Sequence, residues 1–398
     1  MSKSVTLALL MLAQVSASAV DYGGSIVNDT KFSTPASAKA MQFDDFALEQ
    51  QDTAHLWARA PLSLSVPASI AAEGTLTLQY ERPNLDCGDS DTQLIADLNL
   101  LTFECFIPDK ALRLKAGRFF VADTAEVILF QTSDGILLSM DSHGAVIDLY
   151  GGYTGLLNAQ NVTILNDERQ SSHCTYSCND KKSYDFAPPY LIGKIGVRFQ
   201  NLPANQTLTA EGLAFVGSGG PNDGTEEYER VYGTLGIYGP LSASLSYSAA
   251  VTFASEDFDG ASNLSQFSLS YFPNAYSMEC SARALYASGR NGRLKPFKGF
   301  TSAEDIDQFF QFEYTSMIKP GLSFSVKPLD TLRVCADADL VYRCFSSKTR
   351  YEGFKWNVSV KYQMFSDLQL GLDAAQFLHN YGNSGSKAWL AIKAMLSF

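Results

Sequence analysis

Ala388-Trp389-Leu390-Ala391-Ile392-Lys393-Ala394-Met395-Leu396-Ser397-Phe398 ends the chain, and this stretch decides the fold. Its apolar side chains recur at every second position, namely Leu390, Ile392, Ala394, Leu396 and Phe398. The positions between them hold Ala391, Lys393, Met395 and Ser397. A repeat of two residues separates these sets onto opposite faces of a β-strand, whereas a helix would mix them. The stretch is therefore predicted to be a strand with one apolar face.

The same alternation recurs along the chain before this strand. It is found in residues 76–80, 195–199, 245–253, 322–326, 332–342, 354–364 and 368–374. A soluble β-sandwich also alternates, but its strands average about five to six residues, whereas residues 332–342 and 354–364 each alternate over eleven residues. Strands near ten residues, with the apolar set facing lipid and the polar set facing a lumen, are typical of a membrane barrel.

The connections between these segments also alternate between short and long. Short turns are predicted near Pro67, Pro108, Ser142-His143-Gly144, Pro203, Pro240, Pro273-Asn274, Pro328-Leu329-Asp330 and Ser366-Asp367. Longer polar loops fall at about residues 34–51, 82–93, 125–133, 156–188, 218–228, 256–260, 290–311, 344–353 and 380–387. With a first strand near residues 23–33, the prediction is an all-β transmembrane antiparallel β-barrel of about 18 strands. A barrel of about 16 strands stays open, and both numbers are even, as bacterial barrels require.

The first residues carry an export signal. Lys3 precedes the apolar run Val5–Ala13, and Ala17-Ser18-Ala19 forms a small-residue cleavage site. These are the three parts of a secretory signal peptide. A membrane anchor is the alternative, but the run is shorter than the roughly 20 apolar residues that span a bilayer. Residues 1–19 are therefore predicted to be a signal peptide, and residues 20–398 a single barrel domain.

Composition supports a barrel and excludes one class of partner. Gly (29), Tyr (19) and Phe (26) are abundant, and charged residues make up only 18% of the chain. No apolar stretch after residue 19 is long enough for a transmembrane helix. The formal net charge of −12 argues against nucleic-acid binding.

The seven cysteines leave at least one thiol without an intramolecular partner. Cys174 and Cys178 lie close together in a polar stretch and are the predicted disulfide. His173 stands beside them, so a metal site is the alternative, but one His and two Cys make an incomplete zinc set. The sequence therefore predicts neither a metal nor a cofactor.

The closing strand resembles that of bacterial outer-membrane β-barrel proteins of the porin type. The resemblance implies that Phe398 is part of an assembly signal read by the barrel-assembly machinery, and that the chain lies in outer-membrane lipid. Three shorter pieces resemble porins of the alginate-export type: Lys115-Ala116-Gly117-Arg118, Asp134-Gly135 and Lys327-Pro328-Leu329. This looser resemblance names no solute.

Alternation also predicts which charged side chains line the lumen. The basic residues are Arg59, Arg113, Lys115, Lys194, Arg198, Arg283, Lys327, Arg333, Arg343, Lys355, Lys361 and Lys393. The acidic residues are Glu81, Asp97, Asp148, Asp337, Asp339 and Asp373. An excess of basic groups in a pore favours anions. The alternative is local pairing, Arg333 with Asp337 for example, which would only hydrate the lumen.

One segment interrupts the alternation. Arg113 and Lys115 face inward, and continued alternation would turn Arg118 toward lipid. A β-bulge near Gly117 would return Arg118 to the lumen. A misread register is the other explanation.

The predicted function is a channel for passive diffusion of small hydrophilic solutes, with homotrimer formation left open. A surface adhesin or receptor acting through the loop from Asn158 to Pro188 is the first alternative. An outer-membrane enzyme is the second. It is disfavoured because no histidine, whether His55, His143, His173 or His379, stands in a nucleophile motif.

Overall fold

The computed structural model describes residues 20–34, 47–62, 66–82, 90–142, 144–162, 164, 183–218, 229–273, 277–289, 294–301, 314–345, 348–380 and 387–398. The strands are β1 Asp21–Ser33, β2 Ala47–Leu62, β3 Ala68–Arg82, β4 Asp91–Ile107, β5 Leu112–Ala122, β6 Phe130–Ser142, β7 Ala145–Tyr153, β8 Tyr190–Leu202, β9 Gln206–Gly217, β10 Glu229–Ser242, β11 Leu245–Glu256, β12 Ser262–Tyr271, β13 Glu279–Ala287, β14 Met317–Leu329, β15 Leu332–Phe345, β16 Lys348–Gln363, β17 Leu368–His379 and β18 Lys387–Ser397. The predicted signal peptide, residues 1–19, lies outside the described residues, as do Cys174 and Cys178.

The strands form one 18-stranded sheet in which each strand pairs antiparallel with its neighbours in the chain. The sheet closes because β1 pairs with both β2 and β18. At the seam, the Phe398 amide donates to the Gly24 carbonyl at 2.9 Å, and the Gly24 amide donates to the Phe398 carbonyl at the same distance. The predicted antiparallel barrel is confirmed, with 18 strands and not 16. Each of the 18 described strands therefore has a partner strand on both sides.

The two faces of the sheet differ as the alternation predicts. On β18 the side chains of Leu390, Ile392 and Leu396 are exposed on the outer face, while Lys393 forms ion pairs on the inner face. The same division runs round the barrel, because directly paired residues share a face. Within the described residues, no helix has the length and apolar character needed to cross a bilayer.

One predicted connection is wrong and another is shorter than expected. Residues 344–353 were expected to form a loop, but β15 continues to Phe345 and β16 begins at Lys348. The polar residues here belong to β15 and β16, which both continue beyond the apolar band. A prediction based on polarity alone therefore made the loop between these strands too long. In the same way, β6 starts at Phe130, inside the expected loop at 125–133.

The bulge expected near Gly117 is also absent. β5 pairs with β4 and with β6 in an unbroken register through this position. Gly117 instead has a φ of 116°, and a Cβ there would collide with the Leu101 carbonyl oxygen. Glycine therefore lets β5 twist beside β4 without changing the alternation.

Arg118 consequently keeps the outward alternation of Leu112 and Leu114, yet it is only 6% exposed. Its guanidinium donates to both carboxylate oxygens of Asp134, at 2.9 and 2.8 Å. It also donates to the Leu98 carbonyl at 3.0 Å and to the Leu156 carbonyl at 2.6 Å. The chain after β7 covers this pair, which explains how a charge can occupy an outward position.

Candidate functional site

Three of the longer connections meet inside the barrel. They are the β5–β6 loop (residues 123–129), the β7–β8 loop (154–189) and the β13–β14 loop (288–316), each in its described residues. The Thr301 amide donates to the Ile128 carbonyl at 2.9 Å, and the Phe130 amide donates to the Thr301 hydroxyl at 3.0 Å. Ile164 bridges to Thr301 as well. The three loops therefore support one another.

The loops pack an apolar cluster against one side of the inner wall. Val127, Ile128 and Leu129 are buried, and they share the cluster with Phe297 and Phe300 from the β13–β14 loop. The ring of Phe300 stacks on that of the wall residue Phe215, with 3.8 Å between centroids. None of the described residues of β1, β2 or β3 belongs to this cluster. The loops thus fill one side of the lumen and leave the other side to the wall of β1–β3.

Asp123 fixes the β5–β6 loop. Its carboxylate accepts hydrogen bonds from the amides of Ala125, Val127, Ile128 and Leu129, at 2.8 to 3.0 Å. Burial raises the pKa of Asp123 above its ordinary value. The loop is therefore held by a carboxylate that has lost most of its contact with water.

Glu211 on β9 ties the same loop to the wall. The Thr124 hydroxyl donates to Glu211 at 2.9 Å, and Lys194 on β8 forms an ion pair with Glu211 at 2.7 Å. The Lys194 ammonium also donates to the Ala122 carbonyl at 2.6 Å. A predicted lumen residue, Lys194, thus anchors the loop that narrows the lumen.

The wall of β1–β3 and β18 is polar on its inner face. Its inward polar side chains include Asp29, Lys31, Glu49, Gln51, Thr53, His55, Glu73, Thr75, Thr77, Gln79 and Lys393, as the strand pairing shows. Many of them pair across strands: Lys31 with Glu49 at 3.3 Å and His55 with Glu73 at 2.8 Å. This wall faces the space that the apolar cluster leaves, so the passage has one polar and one loop-covered side.

Strand pairing turns the predicted lining residues to the inner face. Those in ion pairs are Asp97, Lys115, Asp148, Lys194, Arg198, Arg283, Asp337, Asp339, Arg343, Lys355, Asp373 and Lys393. Among the described residues, no acidic side chain forms an ion pair with Arg59, Arg113, Lys327, Arg333 or Lys361. These five are exposed and lie toward the end with the short turns. Their role in lining a pore stays a prediction.

A row of directly paired residues crosses β13 to β16. Arg283 donates to both oxygens of Asp339 at 3.0 Å, and Lys355 stands 3.8 Å from the same carboxylate. Gly321 lies between Arg283 and Asp339 in the row. A Cβ at Gly321 would collide with the Asp339 carboxylate. Asp339 and Lys355 are each 1% exposed. Their charges are therefore buried beneath the surface that lines the lumen.

Sequence reasoning missed several inward acids. They are Asp29, Glu49, Glu104, Glu211, Glu256 and Glu352, each ion-paired with a Lys or Arg residue, and Glu73, whose Oε1 lies 2.8 Å from His55 Nε2. Alternation extended to β1, β2, β3, β4, β9 and β11 would have found six of them, and Glu352 lies on β16. The pairing of Arg333 with Asp337 is wrong, because Arg333 donates to Ser325 at 3.2 Å and Asp337 lies 3.4 Å from Arg283. The basic excess of the lumen is thus smaller than predicted.

Two observations on metal ligands and thiols concern the described part of the chain. It contains no group of three or more His, Cys, Asp or Glu residues placed to hold a metal ion. Cys105, Cys280, Cys335 and Cys344 are free thiols. The alternative metal site at His173, Cys174 and Cys178 lies outside the described residues.

The fold is similar to that of solved bacterial outer-membrane porins of the Occ/Opd group. OccK7 (OpdD) of Pseudomonas aeruginosa matches with a TM-score of 0.64 and 12% identity, over 95% of this chain and 98% of that protein. OccK3 (OpdO) of the same species matches with a TM-score of 0.61 and 15% identity, over 98% of this chain and 99% of that protein. The alginate-export resemblance is not seen in these comparisons. No family model matches the chain. No curated protein matches it either.

Proposed function

We propose that the protein is an outer-membrane channel through which small hydrophilic solutes diffuse passively. The observation that carries this proposal is the inner surface of the closed barrel, where the polar wall of β1–β3 faces the apolar loop cluster. The outer face is apolar, as lipid requires, and the inner face is polar, as a water-filled passage requires. The likeness to solved porins over nearly the whole chain supports the same function.

The route to the membrane is part of the proposal. Residues 1–19 would direct export and be removed, and residues 20–398 would form the single barrel domain. Phe398 is 67% exposed on the outer face beside the last paired residues of β18, where the barrel-assembly machinery could read it. Association into a homotrimer belongs to the same proposal.

The anion bias is proposed from a reduced set of residues. Buried ion pairs hold Asp339 and Lys355 away from solvent, so they add little to the field that a solute meets. Arg59, Arg113, Lys327, Arg333 and Lys361 are exposed on the inner face near the short-turn end, and rings of such groups favour anions. The bias would therefore arise near this end of the passage.

Ion conductance of the purified protein in a planar bilayer tests the proposal. We expect stepwise increases in current, each step from one inserted barrel, and no steps from protein denatured by boiling. Barrels that insert and stay heat-modifiable but pass no current would contradict the channel. That result would favour an adhesin acting through the β7–β8 loop.

A further inference from the structure

The barrel wall is split over part of its height between β4 and β5. β4 pairs with β3 over residues 91–105, but it pairs with β5 only over residues 101–107. The last pair joins Leu101 to Arg118. Beyond it, β5 leaves β4, and Phe119 enters the apolar cluster inside the barrel. Residues 91–100 of β4 therefore have β3 on one edge and, among the described strands, none on the other. We call this opening the β4–β5 split.

The β7–β8 loop fills the split. The Ala96 amide on β4 donates to the Ser183 carbonyl at 2.9 Å, and the Asn158 side-chain amide donates to the Ala96 carbonyl at 3.0 Å. The Asn161 side chain donates to Asp97 at 2.6 Å. Apart from the bond between Ala96 and Ser183, each of these bonds uses a side chain. The loop thus takes the place of a strand without forming a regular ladder.

Arg118 ties the loop to both sides of the split. Its guanidinium donates to the Leu98 carbonyl on β4, to the Asp134 carboxylate on β6 and to the Leu156 carbonyl in the loop. The Tyr184 hydroxyl donates to the same Leu156 carbonyl at 2.5 Å. A buried charge needs all its partners, because each lost partner leaves it poorly compensated. The attachment of the loop to the wall is therefore concentrated at this cation.

The split lies at the depth of the apolar band. Leu94 pairs directly with Leu78 on β3, and these side chains are 46% and 45% exposed on the outer face. Leu98, further along β4, is 37% exposed. In the loop, Leu156 and Phe186 are 52% and 62% exposed. At this depth irregular backbone is tolerated only where protein buries it or where it lines a cavity. The loop therefore stands between the lumen and a surface bordered by apolar side chains.

We propose that the β4–β5 split is a lateral exit from the lumen into the lipid of the outer membrane, closed by the β7–β8 loop, for small apolar or amphipathic solutes. A regular ladder opens only when many backbone bonds break together, whereas this part of the wall opens when a loop with few bonds moves away. A solute with an apolar part gains free energy by leaving water for lipid. Ions and fully polar solutes lose by that transfer and keep to the axial passage. The inference goes beyond the proposed channel and rests on its membrane location.

Locking the loop to β4 tests the exit. All native cysteines are first replaced by serine, which gives the reference protein. Ala96→Cys with Ser183→Cys, the split pair, then places thiols on two residues joined by a backbone hydrogen bond. The matched control is Ser270→Cys with Ser281→Cys, the ladder pair, on the paired strands β12 and β13, where the two hydroxyls are 2.7 Å apart. Oxidation joins each pair by a disulfide, and a reducing agent releases it.

Uptake of an apolar dye by intact cells measures lateral exit. The probe is phenylnaphthylamine, which fluoresces strongly in lipid and weakly in water. We expect cells with the reference protein to gain fluorescence several-fold faster than cells without it. Oxidation should abolish this gain in the split pair, reduction should restore it, and the ladder pair should respond to neither. A reference protein that adds no dye uptake, or an oxidised split pair that still takes up dye like the reference protein, would overturn the proposal.

Conductance in a planar bilayer separates the exit from the axial passage. The oxidised split pair should pass the same current as its reduced form, because the lock lies in the wall. Loss of both current and dye uptake on oxidation would show that the loop controls the axial passage, and would reject a separate exit. Dye uptake that depends on the split pair, from a protein that passes no current, would reject the channel and support the exit.

Discussion

At the scale of single residues, the carboxylate of Asp123 holds the β5–β6 loop in its place inside the barrel. It accepts the amides of Ala125, Val127, Ile128 and Leu129, and all four would lose this partner in Asp123→Ala. A buried amide left unsatisfied costs about 1–3 kcal/mol. We therefore expect the β5–β6 loop to leave the lumen and the single-channel conductance to rise. Glu126→Ala in the same loop is the control, and equal conductance in Asp123→Ala and the parent would contradict the role of Asp123.

The raised pKa of Asp123 gives the loop a predictable pH dependence. Burial raises this pKa in the docked loop, so docking gains stability at low pH and loses it as the pH rises through the raised pKa. Acidification should therefore strengthen docking and lower the conductance. Asp123→Asn cannot titrate and should remove this part of the response. Conductance that rises on acidification in the parent alone would reverse the sign and reject the account.

Gly321 is a second residue of interest, because its lack of a side chain leaves room for the ion pair between Arg283 and Asp339. In Gly321→Val, the new side chain would push Arg283 from Asp339 and leave a buried charge poorly compensated. Breaking a buried ion pair costs roughly 3–5 kcal/mol. We expect a lower temperature for the change in gel mobility that marks unfolding of the barrel. Gly193→Val is the matched control, because a Cβ at Gly193 meets nothing within 4 Å. Equal shifts for both variants would show that space at Gly321 is not needed.

At the scale of elements, the sequence predicts the strands better than it predicts the loops that fill the inside of the barrel. β16, β17 and β18 alternate strictly, since each has lipid on one face and a polar lumen on the other. β1 was harder to recognise, because Asn28 and Thr30 break its apolar face. The sequence feature that weakened this strand prediction is a hydrogen-bonded group of polar side chains on the outer face of β1 and β2. A local departure from alternation therefore weakens the prediction of a strand that the pairing with β2 and β18 still forms.

The loops inside the lumen could not be predicted from alternation. Period-two patterns tell which face a strand residue takes, but not whether a connection folds inward or outward. Val127, Ile128 and Leu129 form a short apolar run in a predicted loop, and this was the available signal. Apolar residues in an otherwise polar connection call for a buried site, and here that site is the inner wall.

The closing strand allows a direct test of assembly at the element scale. Phe398 lies on the outer face with Leu396, while Ser397 pairs with Ser25 on the inner face. Phe398→Asp should place a charge against lipid and remove the predicted signal, so less heat-modifiable barrel should form. Ser397→Asp is the matched change on the inner face and should assemble nearly as well as the parent. Equal assembly of both variants would contradict the signal.

At the scale of the whole molecule, the negative net charge of the chain does not make the inner face of the barrel equally negative. The formal net charge is −12, yet most inner-face acids are ion-paired with basic residues. Arg333 and Lys361 stand directly opposite each other on β15 and β16 without an ion pair to any described acid. Like charges placed opposite destabilise a sheet. A small anion in the passage would contact both side chains and would offset this repulsion.

This arrangement predicts the selectivity of the channel. The parent should pass small anions in preference to cations, as measured by the reversal potential across a salt gradient. Arg198→Gln, Arg333→Gln and Lys361→Gln together should shift the potential toward cations. The charge-conserving set Arg198→Lys, Arg333→Lys and Lys361→Arg should leave it near the parent value. Raising the salt should weaken the preference, since charges in water are screened over about 10 Å at 0.1 M. A parent that prefers cations at low salt and neutral pH would mean that acids such as Glu49 and Glu73 on the polar wall govern entry.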